Sequence, residues 1–191
     1  MPDLTNKEVI HVNIGQLHAC RSGPVLKTLL GSCVSACLFD PVSRVAGMNH
    51  ILLSTKADIK SFDSSARYGI HAMEILINEM LKLGAKRSRL QAKAFGGGNV
   101  LVTTNNENSP GQRNVEFLLD YLRFEKIPLL AYDFGGPWTR VLQFQTDSFE
   151  VFVKKTENRL RGETINEESR LQTQISKKPE EDEGGEITLF D

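Results

Sequence analysis

The chain has 191 residues, 40% hydrophobic and 25% charged, with 15 Gly, 7 Pro, 3 Cys and a formal net charge of −1. That length suits one domain, or one domain with a tail, and the composition excludes a collagen-like, disulfide-dense or wholly disordered chain. No apolar run approaches the roughly 18–20 residues of a membrane span, and the start MPDLTNKEVIHVNIG lacks the basic and apolar regions of a signal peptide. A cytoplasmic protein without membrane insertion is expected, and a monomer, since no long heptad is present.

The chain opens with weak strand signals. His11–His18 is a weak strand and Val25–Leu30 a short apolar run. Residues 33–39 (CVSACLF) then alternate, with Val34, Ala36 and Leu38 on one face and Cys33, Ser35, Cys37 and Phe39 on the other. Asp40-Pro41-Val42-Ser43 has the residues of a type I turn. Residues 45–53 (VAGMNHILL) return as a strand.

Arg67–Leu83 is the clearest helix, with Ile70, Met73, Leu76, Ile77, Met80 and Leu81 at helical spacing and Gly84 as its stop. Leu90–Phe95 reads as a strand ending in Gly96-Gly97-Gly98. Asn114–Phe124 is a second helix, with Val115, Leu118, Leu119 and Leu122 on its stripe. Ile127–Phe134 is a strand closed by Gly135-Gly136, and Arg140–Gln145 with Phe149–Val153 forms a hairpin. Runs of strands around two helices predict an α+β fold with mostly antiparallel sheets.

Residues 1–155 read as the folded unit and 156–191 as a charged tail, too poor in apolar residues to offset the entropy of ordering. A short amphipathic turn near Asn158–Leu171 is compatible with it. Residues 180–191 hold six acids and no base, which leaves +5 of the −1 total for residues 1–179. Within the tail, Ile187-Thr188-Leu189-Phe190 has the character of a short docking motif, although a solvated end is the simpler reading. The basic run Lys82–Lys93 fits a helix end, where cations suit the dipole, better than nucleic-acid binding, because no recognisable nucleic-acid module accompanies it.

The candidate chemistry centres on Cys33 and His50. A phosphate site at Gly96-Gly97-Gly98 lacks the Lys-Ser/Thr that a phosphate loop requires, so a tight turn is the simpler reading. Zinc at Cys33, Cys37 and His50 is disfavoured, since four residues along a strand span about 13 Å; no metal is expected. A thiol beside an imidazole is an arrangement for nucleophilic catalysis. If Phe39 pairs with Arg44 across the turn, Cys33 falls directly opposite His50 on one face. His71 reads as a packed or interfacial side chain, and His11 and His18 lie in a weakly patterned segment.

Several motifs together carry a family likeness. Leu30-Gly31-Ser32-Cys33-Val34, Cys37-Leu38-Phe39-Asp40-Pro41 and Gly47-Met48-Asn49-His50 closely resemble the signature of the chemoreceptor glutamine deamidase family, CheD. Arg67-Tyr68-Gly69, Glu74–Met80, Lys93–Gly98, Gly111-Gln112-Arg113-Asn114 and Gly135-Gly136 continue the likeness over roughly residues 10–155. The resemblance implies a layered α/β/β sandwich, similar to the catalytic domains of bacterial deamidating toxins. It implies hydrolysis of particular glutamine side chains to glutamate in methyl-accepting chemotaxis receptors, docking to a CheC-type phosphatase, and no cofactor. By the same resemblance Cys33 is the nucleophile, His50 the base and acid, and Thr28 the third catalytic residue, with Ser32 and Asn49 at the substrate. Ile51-Leu52-Leu53-Ser54 departs from the family pattern in lacking a proline after the histidine. Two alternatives stay open: a non-catalytic module that docks a receptor or phosphatase, and a receptor methylesterase using the same thiol.

Overall fold

The computed structural model describes residues 7–53, 63–99 and 109–156. The tail, its Asn158–Leu171 turn and its Ile187–Phe190 cluster lie outside them. Among the described residues, nine strands and two main helices form three layers. One sheet runs β1(Val9–His11), β3(Val25–Leu30), β8(Thr139–Gln145), β9(Val151–Thr156). The other runs β2(Leu17–Arg21), β5(Val45–Asn49), β4(Val34–Asp40), β6(Gln91–Gly96), β7(Leu129–Phe134). Among the described strands, only β1–β3 and β6–β7 pair in parallel. Helices α1(Ser64–Lys82) and α2(Pro110–Phe124) cover the outer face of the five-stranded sheet, giving the expected α/β/β layering.

Two apolar cores follow from the strand alternation. Val34, Ala36 and Leu38 of β4 pack with Met73, Leu76 and Leu118 beneath the helices. Cys33, Cys37 and Phe39 turn the other way and meet Leu26, Leu30, Leu142 and Phe144 between the sheets. The central strand β4 is buried along its whole length, so a one-residue slip would invert both cores.

The helices begin earlier than their apolar stripes. Asp63 caps α1 by accepting from the Ala66 N–H at 2.7 Å. Ser109 caps α2 at Gln112, with Pro110 in the first turn, where its missing N–H costs nothing. Gly84, at φ 101°, closes α1 in a Schellman arrangement, with Gly84 N–H to Leu81 O and Ala85 N–H to Met80 O. The stripe of α2 is rotated from the expectation. Asn114, Phe117, Leu118, Tyr121 and Leu122 are buried, whereas Val115 and Leu119 are half-buried.

Three sequence expectations change. Most of His11–His18 is the connection between β1 and β2 rather than a strand. His71 is exposed on α1 rather than packed. The β4–β5 register is shifted by two, because Asp40 stays in the strand and pairs with Val45 while Arg44 takes φ 53° in the loop. The Asp40 carboxylate accepts from the N–H groups of Val42 and Ser43, turning the chain early. It also receives the Lys86 N–H and the Arg89 guanidinium. Burial alone would raise this carboxyl, but those donors hold it well below the usual carboxylate range.

The basic run is largely consumed internally. Arg87 pairs with Glu74 and Glu125, Arg89 with Asp40, and Lys82 with Glu79. Lys93 donates to the Phe149 carbonyl at 2.6 Å. Cations engaged in this way do not form a phosphate-binding stripe.

Candidate active site

Cys33 immediately precedes β4 and is fully buried. The glycine run after β6 shapes its position. Gly97 N–H donates to the Cys33 carbonyl at 2.7 Å, and Gly98 N–H to the Gly31 carbonyl at 2.8 Å. Gly96 has φ 116°, and a Cβ there would lie 2.2 Å from the Cys33 carbonyl oxygen. The run is therefore a seat for the Gly31–Cys33 backbone, and its glycines permit that close approach. Beyond Gly97 a cavity of ≈ 460 Å³ is lined by Ser109, Gln112, Val115, Phe134 and Gly136.

With Asp40 opposite Val45, the residue across from Cys33 is Leu52 rather than His50. A shift of two preserves the face, so Cys33 and His50 remain diagonal neighbours on the inter-sheet side, with Cα atoms about 7–8 Å apart in such a pairing. The ladder is loosened here. Ala36 N–H donates to Asn49 Oδ1 at 3.0 Å, and Ser35 Oγ donates to the Asn49 carbonyl at 2.5 Å. The His50 backbone faces the other neighbour and extends the β2–β5 pairing into the β1–β2 loop, through His50 N–H to Gln16 O and Gly15 N–H to His50 O. Pairing with β4 resumes at Val34 and Ile51.

The imidazole of His50 crosses to the other sheet. Its Nδ1 lies 2.9 Å from Thr28 Oγ1 on β3, and 3.4 Å from the Val12 carbonyl. Thr28 Oγ1 donates its one proton to Val12 O at 2.6 Å. Toward His50 it is therefore an acceptor, which places the ring proton on Nδ1 and leaves Nε2 with its lone pair. Nε2 is buried and has no hydrogen-bond partner among the described residues. Burial pushes the His50 pKa down to about 4, only partly opposed by the Val12 carbonyl. The ring is thus a neutral base at pH 7.

Cys37, four residues along β4, is a different thiol. Burial pushes its pKa up to about 12 against the pull of Ser35 and Lys93, which leaves it inert at neutral pH. Among the described residues there is no cluster of three or more His, Cys, Asp and Glu side chains able to hold a metal.

Thr28 of β3 and His50 at the exit of β5 thus meet between the sheets, and Cys33, at the entry to β4, faces the same inter-sheet side. Ser32 is buried beside Cys33. Asn49 is placed otherwise. Its side chain is on the helix side, with Nδ2 against Met73 Sδ at 3.1 Å, on the opposite face of the sheet from the Cys33 side chain. Two participants escape sequence reasoning: the Val12 carbonyl, and Asn114, whose carboxamide meets both Ser32 and Leu53. The only sequence signal for Asn114 is its place in the Gly111–Asn114 motif.

Comparison with known proteins supplies the family. The family model for CheD, described as CheD chemotactic sensory transduction, matches residues 52–155. The chain is 45% identical over 159 residues to a probable chemoreceptor glutamine deamidase CheD 1 from Geobacter sulfurreducens, covering 80% of this chain and 79% of the relative. It is 40% identical over 186 residues to the like-named Shewanella oneidensis protein, covering 96% and 88%. A probable chemoreceptor glutamine deamidase CheD 2 from Chromobacterium violaceum is 44% identical over 179 residues, covering 92% and 87%.

Proposed function

This chain belongs to the CheD family, and on that premise we propose that it hydrolyses glutamine side chains of chemoreceptors to glutamate, with Cys33 as nucleophile and His50 as base and acid. The reading is supported by one observation: a buried imidazole whose Nδ1–H is held by Thr28, with Nε2 unpartnered among the described residues and His50 on the strand face that bears Cys33.

His50 Nε2 takes the thiol proton, and Cys33 Sγ forms a bond to the carboxamide carbon. The oxygen of the tetrahedral adduct gains negative charge, for which backbone N–H groups around Ser32–Cys33 are the donors. His50 returns the proton to the nitrogen, the C–N bond breaks and ammonia departs, leaving a thioester. Water then attacks the thioester and gives a proton to His50. The C–S bond breaks, His50 returns that proton to Cys33 Sγ, and the carboxylic acid formed ionises to glutamate. Thr28 is a positioning residue, fixing the tautomer and the ring plane.

Residues 1–155 form the catalytic unit on this reading; the last of the described strands ends at Thr156. The reading extends to a cytoplasmic monomer that also docks a CheC-type phosphatase; no helix among the described residues is long and apolar enough to cross a membrane.

The test is mass spectrometry of a recombinant receptor cytoplasmic domain from the same organism, incubated with the wild-type protein and with Cys33→Ala. Glutamine-to-glutamate conversion that requires Cys33 is expected. Conversion undiminished in Cys33→Ala refutes the nucleophile. Receptor binding without conversion would indicate a scaffold, and change confined to methylated glutamates would indicate a methylesterase.

A further inference from the structure

Beyond the Val34–Ile51 bridge, the register brings Ser32 opposite Leu53. In an uninterrupted antiparallel ladder this would be the next bonded pair, with the Leu53 N–H donating directly to the Ser32 carbonyl. Here the carboxamide of Asn114 stands between them. Leu53 N–H donates to Asn114 Oδ1 at 2.8 Å, and Asn114 Nδ2 donates to the Ser32 carbonyl at 3.0 Å. Asn114 is fully buried in the first turns of α2, and Gly111 on the same turn rests on the backbone of Gly97 and Gly98. One side-chain amide, with one acceptor and one donor in use, thus replaces a single ladder bond and holds the strands apart at the residue before the nucleophile.

We propose that Asn114 is a positioning residue, a wedge that holds the Ser32–Cys33 peptide out of the ladder with the His50-bearing strand. This rests on Cys33 and His50 being the reacting pair. Zippering Ser32 onto Leu53 would draw Cys33 toward Leu52 and reset its approach to His50 Nε2. The wedge also fixes the Ser32–Cys33 peptide plane. No described peptide bond is cis, so with its carbonyl held by Asn114 the N–H of Cys33 points the opposite way, to the side where Gly97 and Gly98 donate to the Cys33 and Gly31 carbonyls. Structural support alone would not require this arrangement, since Leu53 N–H and Ser32 O are complementary to each other.

Two variants separate positioning from support. Asn114→Asp keeps the acceptor for Leu53 and loses the donor to Ser32. Asn114→Ala removes the wedge and leaves the two backbone groups free to pair. Each is assayed for receptor deamidation, for thermal midpoint, and for the pH profile of Cys33 alkylation by iodoacetamide, read on the Cys33 peptide by mass spectrometry. The expected result is a kcat about 100-fold lower, of the size that a misplacement of about 1 Å produces, with KM within about twofold. The Asn114→Ala thermal midpoint stays close to wild type, and the alkylation profile moves to that of His50→Asn. A kcat within about threefold of wild type, an unchanged alkylation profile, or loss of the fold in both variants overturns the proposal. Cys33→Ala runs in parallel. If it is inactive while Asn114→Asp is fully active, only the wedge fails; if it is active, the catalytic reading fails first.

Discussion

Acid should weaken this fold through His50 in a window set by its burial. The imidazole titrates near its ordinary 6.5 in the unfolded chain and at about 4 in the native state. Between those values the unfolded state binds more protons than the native state, so stability falls as pH falls. The contribution is fully present above about 6.5 and is lost by about 4. At about 1.4 kcal/mol per tenfold change in proton affinity, this amounts to roughly 3 kcal/mol, a large share of the 5–15 kcal/mol typical of a domain. The measurement is denaturant unfolding of the wild type and His50→Asn at several pH values from 7 to 4. Asparagine can place an amide near the Nδ1 position but cannot titrate. The carboxylates held low in the native state, Asp40, Glu74, Asp133 and Asp147, are common to both proteins and cancel in the difference. That difference should shift by roughly 3 kcal/mol across the window. Parallel curves would refute the burial argument and, with it, the neutral base at Nε2.

Thr28→Val should lower kcat about 10- to 100-fold with little change in KM, because the His50 ring loses the acceptor at 2.9 Å that sets its tautomer; its thermal stability should fall by only about 1–3 kcal/mol, the cost of one buried unsatisfied donor. Wild-type turnover in this variant would remove Thr28 from the mechanism. Gly96→Ala should cost at least about 2 kcal/mol, since it combines φ 116° with a Cβ 2.2 Å from the Cys33 carbonyl. A soluble, active Gly96→Ala protein with an unaltered unfolding midpoint would contradict the seat described for the nucleophile segment.

Local patterning was sufficient for much of this protein. The alternation over residues 33–39 assigns Cys33 and Cys37 to one face and Val34, Ala36 and Leu38 to the other, because a strand has a side-chain period of two. The same periodicity lets the Cys33–His50 pairing survive a register error: the turn argument misses the observed register by two residues, and two residues leave the face unchanged. Helix α1 is legible from its apolar spacing and its Gly84 stop, both local properties. The motifs around Cys33 and His50 carry the family likeness without any coordinates.

Tertiary structure decided what those residues face. Thr28 lies 22 positions from His50 and reaches it only because the two sheets pack face to face. The β1–β2 loop binds the His50 backbone on the side away from β4 and brings the Val12 carbonyl to its ring, and that path cannot be read from a segment with almost no periodicity. Gly96-Gly97-Gly98 looks like a turn or an anion loop in sequence; it becomes a seat for Gly31–Cys33 through the parallel neighbour β7 and the start of α2. Asn114 stands on a helical stripe among apolar residues, and only the crossing of α2 over the end of β4 inserts its amide into the ladder. Periodicity and capping act over a few residues, within reach of sequence. The tautomer of a base and the spacing of a nucleophile depend on groups brought together by packing, which local sequence does not encode.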